Sequence, residues 1–263
     1  MIQFRPRKID RNNNNTPILS NREIDDFAHA VLADYRLDLL RRPGKIDFQH
    51  FLESYLGMRI IFQDIYSDDP ERPILAITAF QKGKIKVFDE ENESVEKIIV
   101  PARSVVIDNS LMEEGREHIA LFTGMHEGGH ITMQWHVYTG KTFDGEIYDP
   151  EYDFEYIEPI VCCRRDNIER KPRLIKDRTA EQWREHHADY FAGAITMPNA
   201  TFIPFVNKLL RDNNFYKGFI TLGIDEDLDI LAEDILPDAI KETYGVSKRA
   251  AGIKLKNCGF IKG

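Results

Sequence analysis

Cysteine is scarce in this sequence. Three occur in 263 residues, Cys162 and Cys163 adjacent and Cys258 alone. An odd count without C-x-x-C spacing argues against a disulfide framework and against a zinc site built from cysteines; it suits reduced thiols in a cytoplasmic protein. Positive charge is in deficit too. Against 44 Asp and Glu stand 35 Lys and Arg, a formal net charge of −9. Wrapping nucleic acid demands a basic surface, so direct nucleic-acid binding is not expected of the chain. Long apolar runs are missing as well. No window approaches the roughly 18 consecutive apolar residues that a spanning helix needs. The early basic residues of "MIQFRPRKID" lead into no apolar stretch of a secretory signal. The expectation is a cytoplasmic protein with no membrane association.

With 42 % hydrophobic and 30 % charged residues, the sequence has enough apolar material for a sizeable core. Residues 1–20, with their "NNNN" run, read as a flexible arm. From Asn21 the spacing of Ile24, Phe27, Ala28, Val31 and Leu32 predicts an amphipathic helix, with Asn21 as its cap. "DFQHFLESYL" predicts a second helix ending at Gly57. The period then changes, and "MRIIFQDI", "ILAITAF", "KIKVFD" and "RSVVIDN" read as strands of a small mixed or antiparallel sheet. Helical spacing returns over "EEGREHIALFTGMHEGGHITMQWHVY" and again over "TAEQWREHHADYFAGAITMP", with "EPIVCCR" as a further strand between them. The class is α+β. Residues 21–200 read as one domain interrupted by an insertion at 139–180, and residues 201–263 as a helical C-terminal extension.

The chemistry concentrates in "TGMHEGGHITMQWHVY". Residues four apart share a helical face, so His126 and His130 can present their imidazoles to one ion, with Glu127 aimed at water on it. Zinc draws the pKa of such water toward neutrality, and Glu127 is placed to take its proton as it attacks a carbonyl. Gly128 and Gly129 weaken a helix by about 1 kcal/mol each, and they leave room for a substrate backbone near the metal. His136 has the spacing of a third ligand in an HExxHxxGxxH pattern, but Met133 occupies the glycine position of that pattern. If the helix continues, six residues at about 100° carry His136 away from the metal face, leaving it a partly exposed helix-end residue. The better third ligand is Glu185 of "WREHHADYFAGAITMP", which completes a His₂Glu set. Asp189, four residues on, can accept the free ring N–H of a ligand histidine, and Ala188 allows the two helices to approach closely.

These residues resemble the ImmA/IrrE zinc metallopeptidases. The resemblance covers most of residues 21–200 and rests on "VVID", on "FTGMHEGGH" against a family phrase like FTxAHExGH, and on "WREHHADYFAGAITMP". It implies a gluzincin-like site with His126, His130 and Glu185 on Zn²⁺ and Glu127 as general base. Asp189 departs from the family's usual Asn toward the pattern of thermolysin-like enzymes, and Leu121 stands where many members have Arg. The resemblance further implies a cytoplasmic endopeptidase with a protein substrate; several members cleave helix-turn-helix repressors. The insertion "DGEIYDPEYDFEYIEP" is acidic and tyrosine-rich, suited to holding a basic stretch of such a DNA-binding protein. A tyrosine there, or His186 or His187, is a candidate to stabilise the oxyanion. The rival expectation is a DNA- or partner-binding regulator with a non-catalytic metal site. It would use the C-terminal helix-turn-helix-like "DAIKETYGVSKRAAGIKLKN" with Lys248, Arg249, Lys254 and Lys256.

Overall fold

The computed structural model describes residues 2–148, 160–164 and 178–263. Most of the acidic insertion, 149–159, and the basic stretch 165–177 lie outside the described residues. The architecture is α+β. Strands β1 (Ile9–Asp10) and β2 (Thr16–Pro17) form a short antiparallel pair, followed by helix α1 (Asn21–Tyr35). A short helical turn α2 (Phe48–His50) widens into a π-turn, and Gly57 ends it with φ 61°. Then come β3 (Arg59–Gln63), β4 (Ile74–Ala79), β5 (Gly83–Asp89), β6 (Ser94–Val100) and β7 (Ser104–Asp108). Helix α3 (Glu117–Thr139) follows, then β8 (Ile160–Arg164) and α4 (Ala180–Thr196). The chain finishes with α5 (Asn199–Asp212), β9 (Ile220–Thr221), α6 (Glu226–Ile230), α7 (Leu236–Tyr244), α8 (Lys248–Asn257) and β10 (Ile261–Lys262).

The main sheet has four strands in the order β3-β7-β4-β8. β3 runs parallel to β7, while β4 is antiparallel to both β7 and β8, so the sheet is mixed. Along β4, Leu75 and Ala76, with Phe80 just past its end, join the large core under the helices, while Ile74, Ile77 and Ala79 face a smaller core beneath the β5–β6 hairpin; an irregularity between Ile74 and Ala76 puts adjacent Leu75 and Ala76 on one side. Phe191 and Ala192 of α4 join that large core, as do Leu236, Ile240 and Leu255 of the C-terminal helices. The apolar interior is therefore continuous across residue 200. Among the described residues no helix is long and apolar enough to cross a membrane.

Three local readings change. The cap of α1 is Ser20, whose hydroxyl accepts from the Glu23 N–H while the Glu23 carboxylate accepts from the Ser20 N–H; Asn21 is the first helical residue. β6 was not expected, because "SVEKIIV" mixes charges into its apolar pattern; it pairs along its whole length with β5. The arm is not wholly flexible. Asn14 and Asn15 turn the chain between β1 and β2 at φ 50° and 56°, a left-handed conformation that asparagine tolerates better than most residues. Both are buried.

Candidate metal centre

α3 carries the first half of the site and α4 the second. α3 is buried along nearly all of its length, so His126, Glu127 and His130 have no exposure to solvent at all. α4 starts with Thr179 and Gln182 in a capping box and lies directly against α3. The approach is very close. A Cβ built on Gly129 would sit 2.8 Å from Ala188 Cα, and one on Gly128 would sit 2.9 Å from the Phe51 ring. The two glycines therefore seat an opposing helix and an aromatic ring. The expected room for a substrate backbone is taken by those neighbours.

The approach brings three ligand atoms together. His126 Nε2 lies 3.0 Å from His130 Nε2, Glu185 Oε2 lies 3.6 Å from His126 Nε2, and Glu185 Oε1 lies 3.4 Å from His130 Nε2. Tetrahedral zinc with bonds of about 2.0–2.1 Å separates its ligand atoms by about 3.4 Å. The observed separations bracket that value, and the residues are close enough to hold a metal ion.

The outer ring nitrogens explain why the inner ones face one another. His126 Nδ1 lies 2.8 Å from Asp189 Oδ1, and His130 Nδ1 lies 2.7 Å from Gln134 Oε1. Gln134 Nε2 in turn donates to the Arg184 carbonyl at 2.7 Å, which fixes the amide with its oxygen toward His130. Both acceptors call for a proton on Nδ1, leaving two Nε2 lone pairs 3.0 Å apart in a dry pocket. Such a pair repels unless a proton or cation lies between. Burial, and after it His126, hold His130 well below the ordinary histidine pKa. At His126 burial opposes charge, yet its pKa stands well above the ordinary value, raised by Cys163 and then by Asp189. One proton on the pair, or one metal ion, resolves the repulsion, so the donor set fits a cation.

Glu127 sits beside this point. Its Oε2 accepts from the Thr78 hydroxyl on β4, and its Oε1 is buried with no hydrogen-bond partner. Burial pushes its carboxyl up to about 7, against the pull of His126 and Thr78. Glu185 is also raised by burial, although 20 % of its side chain remains exposed on the open side of the site.

The structure thus brings His126, Glu127, His130, Glu185 and Asp189 into one place. His136 stands apart, since α3 continues to Thr139. It is buried rather than partly exposed, because its Nε2 donates to the Asn15 carbonyl at 3.1 Å and its ring stacks on Tyr148 at 3.9 Å. The two oxyanion candidates on α4 also point elsewhere: His186 Nε2 bonds Asn21 on α1, and His187 packs against Trp183. Tyr148 is engaged with His136, and the other insertion tyrosines lie outside the described residues. Two of the four basic C-terminal residues are occupied. Lys248 bridges Asp234 and Asp238, and Lys254 is buried near Asp25.

Sequence reading missed three neighbours of the site. Gln134 had a usable signal, since it lies four residues after His130 on the same helical face. Thr78 and Cys163 had none: they arrive from β4 and β8, and only the strand order places them under α3. The chain matches no family model and no curated protein.

Proposed function

We propose that this protein is a zinc-dependent endopeptidase of the ImmA/IrrE kind. The observation that carries the reading is the convergence of the His126, His130 and Glu185 ligand atoms beside a buried carboxylate, Glu127, that has one oxygen unpartnered. A bound divalent ion would polarise the scissile carbonyl and acidify an attacking water. The chain supplies the rest. Asp189 and Gln134 hold the two imidazoles in the tautomer that offers Nε2. Thr78 anchors one Glu127 oxygen, leaving the other free to take the proton of water as its oxygen attacks the peptide carbon. Glu127 then returns that proton to the amine as the C–N bond breaks. Burial raises the Glu127 carboxyl in the metal-free site, and a bound divalent ion would draw it back toward the ionised form that a general base needs.

The substrate we propose is a cytoplasmic regulator with a basic segment, such as a helix-turn-helix repressor. The acidic insertion supports this through charge complementarity, and the family resemblance supports the kind of target. The test has two parts. Bound metal measured by mass spectrometry is expected at about one zinc per chain and strongly depleted in Glu185→Ala. Glu127→Gln is expected to keep the zinc and lose peptide hydrolysis. Full hydrolysis by Glu127→Gln would sink the mechanism, and full zinc in Glu185→Ala would move the third ligand.

A further inference from the structure

We propose that the segment following α1 forms a second site, one that binds a small polyphosphorylated molecule between Arg41, Arg42 and Lys45. These side chains line a cavity of about 410 Å³, within the range of about 300–1,000 Å³ that small-molecule sites occupy. Four cations and a single carboxylate line it, in a chain whose net charge is −9. Arg36 is spent on that carboxylate, its two donors reaching the Asp38 oxygens at 3.0 and 2.6 Å. Among the described residues Arg41, Arg42 and Lys45 form no ion pair, and all three are exposed. Three positive charges around one concavity repel, and an anion between them relieves the repulsion.

The segment is held in place. Leu39 before the cations and Ile46 after them are both buried in the main core. The Arg41 and Arg42 N–H groups both donate to the Asp38 carbonyl at 3.0 Å. The Lys45 stem passes Gly245, where an added Cβ would meet it at 3.3 Å. Cations placed in advance lose less freedom on binding.

The chemistry of the lining selects the occupant. A guanidinium fork matches two phosphate oxygens at once, and three free cations call for a ligand with two or more negative charges. Leu39 and Pro43 add a short apolar wall, of the kind on which an organic ring packs. The site is a concavity rather than a stripe, and a chain this acidic repels long polyanions, so a small molecule fits better than nucleic acid. A nucleoside diphosphate has both the charge and the ring. None of the lining residues belongs to the metal centre, so the inference stands apart from the peptidase reading.

Isothermal titration of the full-length protein with inorganic pyrophosphate and with ADP tests this. The wild type is expected to bind both, with ADP competing against pyrophosphate. Arg41→Ala and Arg42→Ala should each weaken pyrophosphate by about tenfold or more, because each removes charge-assisted hydrogen bonds. Lys97→Ala, on exposed β6, should bind as the wild type does. Pyrophosphate also chelates metal, and heat from that source would persist when Arg41 and Arg42 are both replaced by alanine. Binding unchanged in that double variant would overturn the proposal, as would no binding by the wild type at millimolar concentration. An equal loss in Lys97→Ala would also overturn it, by reducing the effect to non-specific charge. So would tighter binding of a DNA duplex than of ADP, lost in the same variants. If an arginine variant does not fold, hydrogen exchange of the wild type decides instead. Pyrophosphate is expected to slow exchange over residues 40–46, and an unaffected segment overturns the site.

Discussion

Gly129→Ala is the sharpest single perturbation of this site. The new Cβ would meet Ala188 Cα at 2.8 Å and the Ala188 carbonyl at 3.3 Å. Ordinary contact begins at 3.4 Å, so the shortfall is 3.4 − 2.8, or 0.6 Å. Both opposing atoms are backbone or fixed to it, and α3 and α4 must part. Overpacking of this kind costs about 1–3 kcal/mol, and alanine returns about 1 kcal/mol of helix propensity. The net loss is about 1 kcal/mol, or about 2–4 °C in Tm for a chain of this size. The metal feels the change more strongly. His126 and His130 ride on α3 and Glu185 on α4, while metal–ligand distances tolerate only about 0.2 Å. We expect zinc affinity to fall by about tenfold or more, equivalent to about 1.4 kcal/mol. Gly193→Ala on the partner helix α4 is the control, since its Cβ would meet no atom within 4 Å apart from its own helix's backbone. It should bind zinc normally and gain up to about 1 kcal/mol of stability. Competition with a chromophoric chelator gives the affinities, and thermal melts of metal-free protein give the stabilities. Wild-type zinc affinity in Gly129→Ala would refute the claim that this crossing sets the ligand geometry.

Three further outcomes are expected. Gln134→Ala removes the acceptor on His130 Nδ1 and should weaken zinc by about 10- to 100-fold, measured by the same competition; an unchanged affinity would mean that the ring needs no such partner. Burial depresses His136 from 6.5 to about 4, so the unfolded chain takes up this proton first as pH falls. Its contribution is whole above pH 6.5 and is lost toward pH 4, amounting to about 2 kcal/mol by pH 5. Urea unfolding should show His136→Gln losing about 2 kcal/mol less stability than the wild type between pH 7 and pH 5, and equal losses would rule the assignment out. Ser20→Ala should lower stability by about 1 kcal/mol, because Ser20 caps α1; an unchanged thermal melt would refute that cap.

What was legible in the sequence divides by range. HExxH and the Glu185–Asp189 pair are local: four-residue spacing on a helix puts them on one face whatever the rest of the chain does. Most strands were legible for the same reason, since β-branched runs broken by turn residues carry their own signal. β6 was not, because Glu96 and Lys97 put an exposed charge on each of its two faces and break the apolar alternation. The burial of His136 was hidden because its partner is a backbone carbonyl 121 residues away, and backbone leaves no trace in composition. The role of the glycine pair was misjudged in the same way. What a missing side chain makes room for depends on what arrives opposite it, and Ala188 and Phe51 come from separate helical segments.

Gln134 has a consequence for kinetics. Its amide orients His130 with one end and grips the Arg184 carbonyl with the other, one residue before Glu185. Two of the three ligands are thereby tied through a single side chain, one on each helix. An ion cannot lose them independently, because releasing Glu185 by moving α4 also tugs on the group that aims His130. Departure of the metal and parting of the helix pair then become one event with one barrier. The dissociation rate of zinc should track the amide hydrogen-exchange opening of α4, rather than the lifetime of any one metal–ligand bond.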